Sequence, residues 1–97
     1  MSECSHKEVA RSVEYTDKLL HRLNRIEGQI RGIKKMISSG SYCVDILTQS
    51  SAVSAAINAF NKELLSHHIK TCVVNDIKDE HYESVDELLK IIQKLMK

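Results

Sequence analysis

Leu19-Leu20-His21-Arg22-Leu23-Asn24-Arg25-Ile26-Glu27-Gly28-Gln29-Ile30-Arg31-Gly32-Ile33-Lys34-Lys35-Met36-Ile37 is the stretch on which the fold turns. Its apolar residues Leu19, Leu23, Ile26, Ile30, Ile33 and Ile37 recur in alternating steps of four and three. That is the heptad spacing of a helix with one packed seam, and it predicts a helix from about Tyr15 to Ile37. Gly28 and Gly32 lie inside the segment one turn apart. Each weakens a helix by about 1 kcal/mol relative to Ala, so they read as places where another helix comes close. Ser38-Ser39-Gly40-Ser41 is the clearest break in the chain and should end this helix and open the next.

Working outward, residues 42–74 carry no breaker and place Ile46, Leu47, Val53, Ile57, Phe60, Leu64 and Leu65 on an apolar stripe. Ala52, Ala55, Ala56 and Ala59 supply small residues for tight helix contact. The run Asn75-Asp76-Ile77-Lys78-Asp79-Glu80 reads as a polar turn, and a third helix is expected over about 82–96 with Val85, Leu88, Leu89, Ile92 and Leu95 buried. With no Pro, three Gly and 4% aromatic residues, the chain lacks the turn-makers of a sandwich, a barrel or a βαβ unit. The fold class is therefore all-α, with three helices in a single domain over 1–97, of which 1–14 are polar and expected to be disordered. A helix of roughly 30 residues is about 45 Å long, whereas a globule of this size is only about 25 Å across. The second helix overhangs any core one chain can build, so an antiparallel dimeric helix bundle is expected.

Composition excludes several classes. No apolar run approaches the roughly 18 residues of a membrane span, and Met1-Ser2-Glu3-Cys4-Ser5-His6-Lys7 has no apolar signal core, so a cytoplasmic protein is expected. Net charge is +1, but residues 1–38 hold eight Lys/Arg against five Asp/Glu while residues 39–97 hold six against eight. All four Arg (Arg11, Arg22, Arg25 and Arg31) lie in the first third. Such a face is either a solvated surface or a phosphate-contacting stripe, for which guanidinium is better suited than ammonium. Three Cys is an odd number, and no disulfide framework is expected in a reducing compartment.

His68 and Cys72 are four residues apart on the second helix and share one face. Cys43 would complete a three-ligand set. Along one helix it lies about 44 Å from Cys72, so a single chain cannot gather the three. An antiparallel dimer can, with Cys43 of one chain near His68 and Cys72 of the other. Two thiolates and one imidazole suit Cu(I), which is soft and accepts three ligands. Cys4 and His6 form a further Cys-x-His, more in keeping with incidental binding. His21 and His81 have no partners at ligand spacing.

Arg22-Leu23-Asn24-Arg25-Ile26-Glu27-Gly28-Gln29-Ile30-Arg31-Gly32 resembles the signature of the CsoR/RcnR/FrmR repressors. Tyr42-Cys43-Val44-Asp45-Ile46-Leu47-Thr48-Gln49 resembles a second segment of that family, and the likeness continues through His68 and Cys72 to Glu87-Leu88-Leu89. It covers nearly the whole chain from about Asp17. The resemblance implies an all-α repressor, assembled as a homodimer and then a homotetramer, that leaves its operator DNA when the Cys site is filled. It implies Cys43, His68 and Cys72 as Cu(I) ligands, with Tyr42 and Glu87 hydrogen-bonding the far nitrogen of the metal-bound His. Arg22, Arg25, Arg31, Lys34 and Lys35 are the candidate DNA contacts. The expected function is Cu(I)-responsive repression; a persulfide- or formaldehyde-responsive repressor, or a copper buffer or chaperone, is the alternative. The Arg-rich first helix argues against a chaperone. An enzyme is not expected, because no Gly-rich loop or carboxylate pair accompanies the Cys and His.

Overall fold

A computed structural model describes residues 10–96. Among them every regular element is helical: α1 Val13–Ser38, α2 Cys43–His68, a π-helical turn Ile69–Val73, α3 Val74–Lys78 and α4 Glu83–Leu95. His68, Val73 and Val74 all hold right-handed helical angles, so α2, the π turn and α3 form one uninterrupted run. The described residues thus form three helical runs, as the periodicity predicts. It divides into two compact units, one spanning Arg11–Glu63 and one containing residues 64–96. The expectations for Cys4 and His6, and for most of the polar N-terminus, lie outside the described residues.

In the first unit α1 starts at Val13, two residues before the predicted start at Tyr15. Ser12 caps it: the hydroxyl oxygen accepts the Tyr15 N–H at 3.1 Å, and Glu14 meets the positive end of the helix dipole. At the other end Ser41 N donates to Met36 O at 2.9 Å and Gly40 N to Ile37 O at 3.3 Å. Gly40 sits at φ +72°, the left-handed angle that this looped ending requires and that Gly adopts freely.

α1 and α2 run antiparallel within this unit, since Tyr15 near the start of α1 reaches Glu63 late in α2. The heptad seam of α1 splits. Leu19 and Ile26 are buried and Ile33 is half-buried, whereas Leu23, Ile30 and Ile37, each a heptad apart, are 40%, 42% and 63% exposed. On α2 the inward set is Ile46, Val53 and Phe60, again a heptad apart, while Val44, Leu47 and Ile57 remain exposed. One chain covers one half of each seam. The glycines are not used within the chain: a Cβ at Gly32 would meet nothing within 4 Å, and at Gly28 only the tip of Arg31 at 3.6 Å.

In the second unit the π turn is the buried element, through Cys72 and Val73, and α4 packs against it. The polar run 75–78 is helical rather than a turn, and the turn comes at Asp79–Glu80. There His81 N donates to Asp76 O at 2.7 Å and Glu80 N to Ile77 O at 3.0 Å. Glu80 takes the left-handed angle, φ 60°, so the α1 ending recurs without its glycine. On α4, Ser84 is buried and Val85, Leu88 and Ile92 are half-buried, but Leu89 and Leu95 are exposed, because one stripe of an amphipathic helix is all this unit covers. No described helix is long and apolar enough to cross a membrane.

Candidate functional site

Two groups of residues carry the chemistry, a cationic face on α1 and a Cys/His set on the second helical run. On α1, Arg25, Arg31, Lys34 and Lys35 are exposed and Arg22 is half-buried. Arg31 Nη1 stands 3.8 Å from Glu27 Oε1 one turn earlier, with both side chains in solvent, a pairing worth a few tenths of a kcal/mol. Arg22 and Arg25 make no ion pair among the described residues. They line an open groove of about 110 Å³ together with Ile26 and Gln29 of α1 and Ala56 and Ala59 of α2. Residues 22, 25, 26 and 29 form one face of α1, and 56 and 59 one face of α2. The alanines border an open groove here, and two arginines line its other side.

Below the groove, Lys18 Nζ lies 3.3 Å from Glu63 Oε1, and the Tyr15 hydroxyl is 3.5 Å from both Glu63 Oε2 and the Glu63 carbonyl. The hydrogen bond from Lys18, then its charge, hold the Glu63 carboxyl below the usual range. Burial, then the Glu63 charge, push the Tyr15 hydroxyl up. The three side chains tie the start of α1 to α2.

Cys43 is the first residue of α2, and its thiol is free and exposed. Tyr42 precedes it; its carbonyl accepts from Asp45 N and Ile46 N at 3.0 and 3.2 Å, and its side chain is 71% exposed. His68 closes α2 and is half-buried, and Cys72 lies buried in the π turn. A π turn takes more residues per revolution than an α turn, yet residues four apart remain on one side of the helix. Thr71, which the spacing rules do not single out, donates its hydroxyl to the His67 carbonyl at 2.8 Å, and the same oxygen stands 3.6 Å from Cys72 Sγ. Cys72 is disulfide-bonded, contrary to the expectation that no disulfide forms, so it offers a thiolate only after reduction. Glu87 is half-buried on α4, the helix that packs on the π turn. Among the described residues no three His, Cys, Asp or Glu side chains gather where one ion could be held.

A helical chain with a cationic first helix and soft donors dispersed along the second matches one class. The family model for metal-sensitive transcriptional repressors covers residues 15–94, and the chain belongs to that family, which is one of regulators rather than enzymes. Among individual relatives, the copper-sensing transcriptional repressor CsoR of Bacillus subtilis strain 168 is 42% identical over 88 residues, 90% of this chain and 87% of that one. Among solved structures, the copper-sensing repressor CsoR with Cu(I) from Geobacillus thermodenitrificans NG80-2 is similar at a TM-score of 0.88 and 37% identity, covering 93% of this chain and 95% of that one. The nickel-responsive transcriptional regulator InrS is similar at a TM-score of 0.71 and 28% identity, covering 93% and 99%.

Proposed function

We propose that the protein is a Cu(I)-responsive transcriptional repressor whose metal-free form binds operator DNA. The observation that carries this reading is the graded likeness: similarity is greater to the Cu(I)-bound CsoR than to the nickel-responsive InrS, in both fold and identity. The donor set agrees with it. With Cys72 reduced, Cys43, His68 and Cys72 offer two thiolates and an imidazole, which a soft monovalent ion prefers and which hard ions do not. Cys43 is free and open to solvent at a helix start, where a second copy can approach it. Bound there, Cu(I) would be held by Cys43, His68 and Cys72 and would cross-link the chains that supply them.

The chain's own residues do the rest. Cys43 comes from one protomer and His68 with Cys72 from its partner, in an antiparallel dimer that pairs into a homotetramer. Leu23, Ile30 and Ile37 supply the half-seam for that assembly. Tyr42 and Glu87 orient the imidazole through its far nitrogen. Arg22, Arg25, Arg31, Lys34 and Lys35 face DNA phosphates, and filling the site moves them out of register with the duplex.

The test is anaerobic Cu(I) titration of fully reduced protein, followed by binding to a duplex that the metal-free protein selects from random sequence. Saturation at one ion per chain, with loss of the duplex, is expected. Cys43→Ala and Cys72→Ala should keep the duplex at every Cu(I) level, and His68→Ala should bind Cu(I) yet fail to let go. Retention of DNA by the saturated unsubstituted protein, or release by a persulfide donor or formaldehyde in place of Cu(I), would overturn the reading.

A further inference from the structure

The groove between α1 and α2 has a composition that helix packing alone does not explain. Ala56 and Ala59 put only methyl groups on its α2 side, and an unfilled gap between helices forfeits the contacts its lining could have made. Its α1 side carries two arginines, Arg22 and Arg25, three residues apart on one helix face, a like-charge arrangement that destabilises a helix. Their neighbours on α1 are compensated: Lys18 by Glu63 and Arg31 by Glu27. Neither Arg22 nor Arg25 forms an ion pair among the described residues, Arg22 interacting with the Glu63 charge only at longer range, and no carboxylate lines the groove.

We infer that this groove is a seat for one phosphate-type oxyanion, with Arg22 and Arg25 as its charged donors, Gln29 as a neutral donor and the Ala56–Ala59 wall keeping it open. Guanidinium presents paired N–H groups that match two oxygens of such an anion, and the Gln29 amide adds a third source of N–H. The volume of about 110 Å³ is several times what one water needs, enough for a tetrahedral group of five heavy atoms. A cation is excluded by the charge of the wall. An apolar ligand would strip water from two guanidinium groups without replacing their hydrogen bonds.

The anion is either a DNA backbone phosphate, which deepens the repressor reading and rests on it, or a free phosphate. Ala59→Leu fills the seat without altering charge, and Ala59→Ser leaves it open as the control. Two readouts apply to the whole reduced, metal-free protein: the Arg22 and Arg25 Nε–Hε resonances with inorganic phosphate at constant ionic strength, and duplex binding across a salt series. Shifts of both resonances that Ala59→Leu abolishes and Ala59→Ser preserves support a seat for free phosphate. A fall in the slope of log affinity against log salt of about 0.9 per seat facing the duplex, roughly fivefold in affinity at about 0.15 M salt for each, supports a seat for backbone phosphate. If Ala59→Leu alters the assembly by sedimentation, Gln29→Leu makes the same test from the other wall. Unchanged duplex binding and phosphate shifts in the filled variant, with DNA still weakened by Arg22→Ala and Arg25→Ala, would overturn the seat while leaving the repressor reading intact. Arg variants that leave DNA binding untouched would remove the proposed DNA face as well.

Discussion

Two helical runs of this chain end in the same hydrogen-bonded loop, one in each compact unit. In Arg11–Glu63 the left-handed position is Gly40, and in residues 64–96 it is Glu80. The pair of bonds is alike: Ser41 N to Met36 O with Gly40 N to Ile37 O, against His81 N to Asp76 O with Glu80 N to Ile77 O. Gly adopts that angle at no steric cost, while an L-residue loses about 1–2 kcal/mol there. The contrast extends beyond the loops. The first unit follows ordinary local rules, with a capped helix, regular heptads and apolar buried residues. The second holds the π turn, and buries Asp76 and the Ser84 hydroxyl, the latter with no hydrogen bond among the described residues. The unit that carries His68 and Cys72 is the one that departs from its simplest fold. Departures of that kind concentrate where a chain is shaped for a ligand as well as for stability.

The largest expected effect separates the two halves of the α1 seam. Ile26→Ala removes a side chain that is only 7% exposed, and should cost about 2–5 kcal/mol in denaturant unfolding. Ile30→Lys alters a position that is 42% exposed; it should keep the helical circular-dichroism signal and shift sedimentation to smaller species. A destabilisation by Ile30→Lys that is independent of protein concentration would show that the second half-seam serves the chain alone. Next are the two loops, where removing a glycine and introducing one should act with opposite sign. Gly40→Ala should lower stability by about 1–2 kcal/mol, and Glu80→Gly should raise it by up to about 1 kcal/mol, the added freedom of the unfolded chain offsetting part of the gain. Equal signs in thermal unfolding would erase the contrast between them.

The smallest effect belongs to the Tyr15–Lys18–Glu63 tie. Glu63 is held below its ordinary range by Lys18, so its stabilisation is present above the carboxylate range and lost as pH falls through the folded value. Tyr15 is raised, so its share is present below the ordinary tyrosine range and lost as pH rises through the folded value. Glu63→Gln should lower Tm slightly at pH 7, and the difference from the unsubstituted protein should vanish in acid. A difference that persists in acid would mean that the carboxylate charge is not what holds the helices together.

The helical class, the break at Ser38–Ser41 and the seam of α1 were legible in the sequence because heptad spacing and a lone Gly each have one favoured local structure. Which half of the seam faces α2 was not, since Leu23 and Ile26 are equally apolar and only the chain's partners distinguish them. The polar run 75–78 reads as a turn by composition, yet it is helical because the ending bonds formed around Glu80 capture it. The ligand candidates were legible by residue type and spacing. The π turn beneath Cys72 and the Thr71 hydroxyl beside it were not, because a π turn leaves no periodic mark over five residues. Ala56 and Ala59 fit tight packing and an open groove equally well in sequence, and only the distance between α1 and α2 decides.

The proposed Cu(I) site takes its ligands from two chains, and mixed dimers test this most directly. Cys43→Ala and Cys72→Ala chains carrying different tags can be co-produced, isolated as mixed dimers, reduced and titrated with Cu(I) under anaerobic conditions. In the mixed dimer one site keeps Cys43 from the second chain with His68 and Cys72 from the first, while the other loses both thiolates. One tightly bound Cu(I) per mixed dimer and none in either pure variant is the expected result. No Cu(I) in a mixed dimer of verified composition, or full binding in a pure variant, would contradict a site shared between chains.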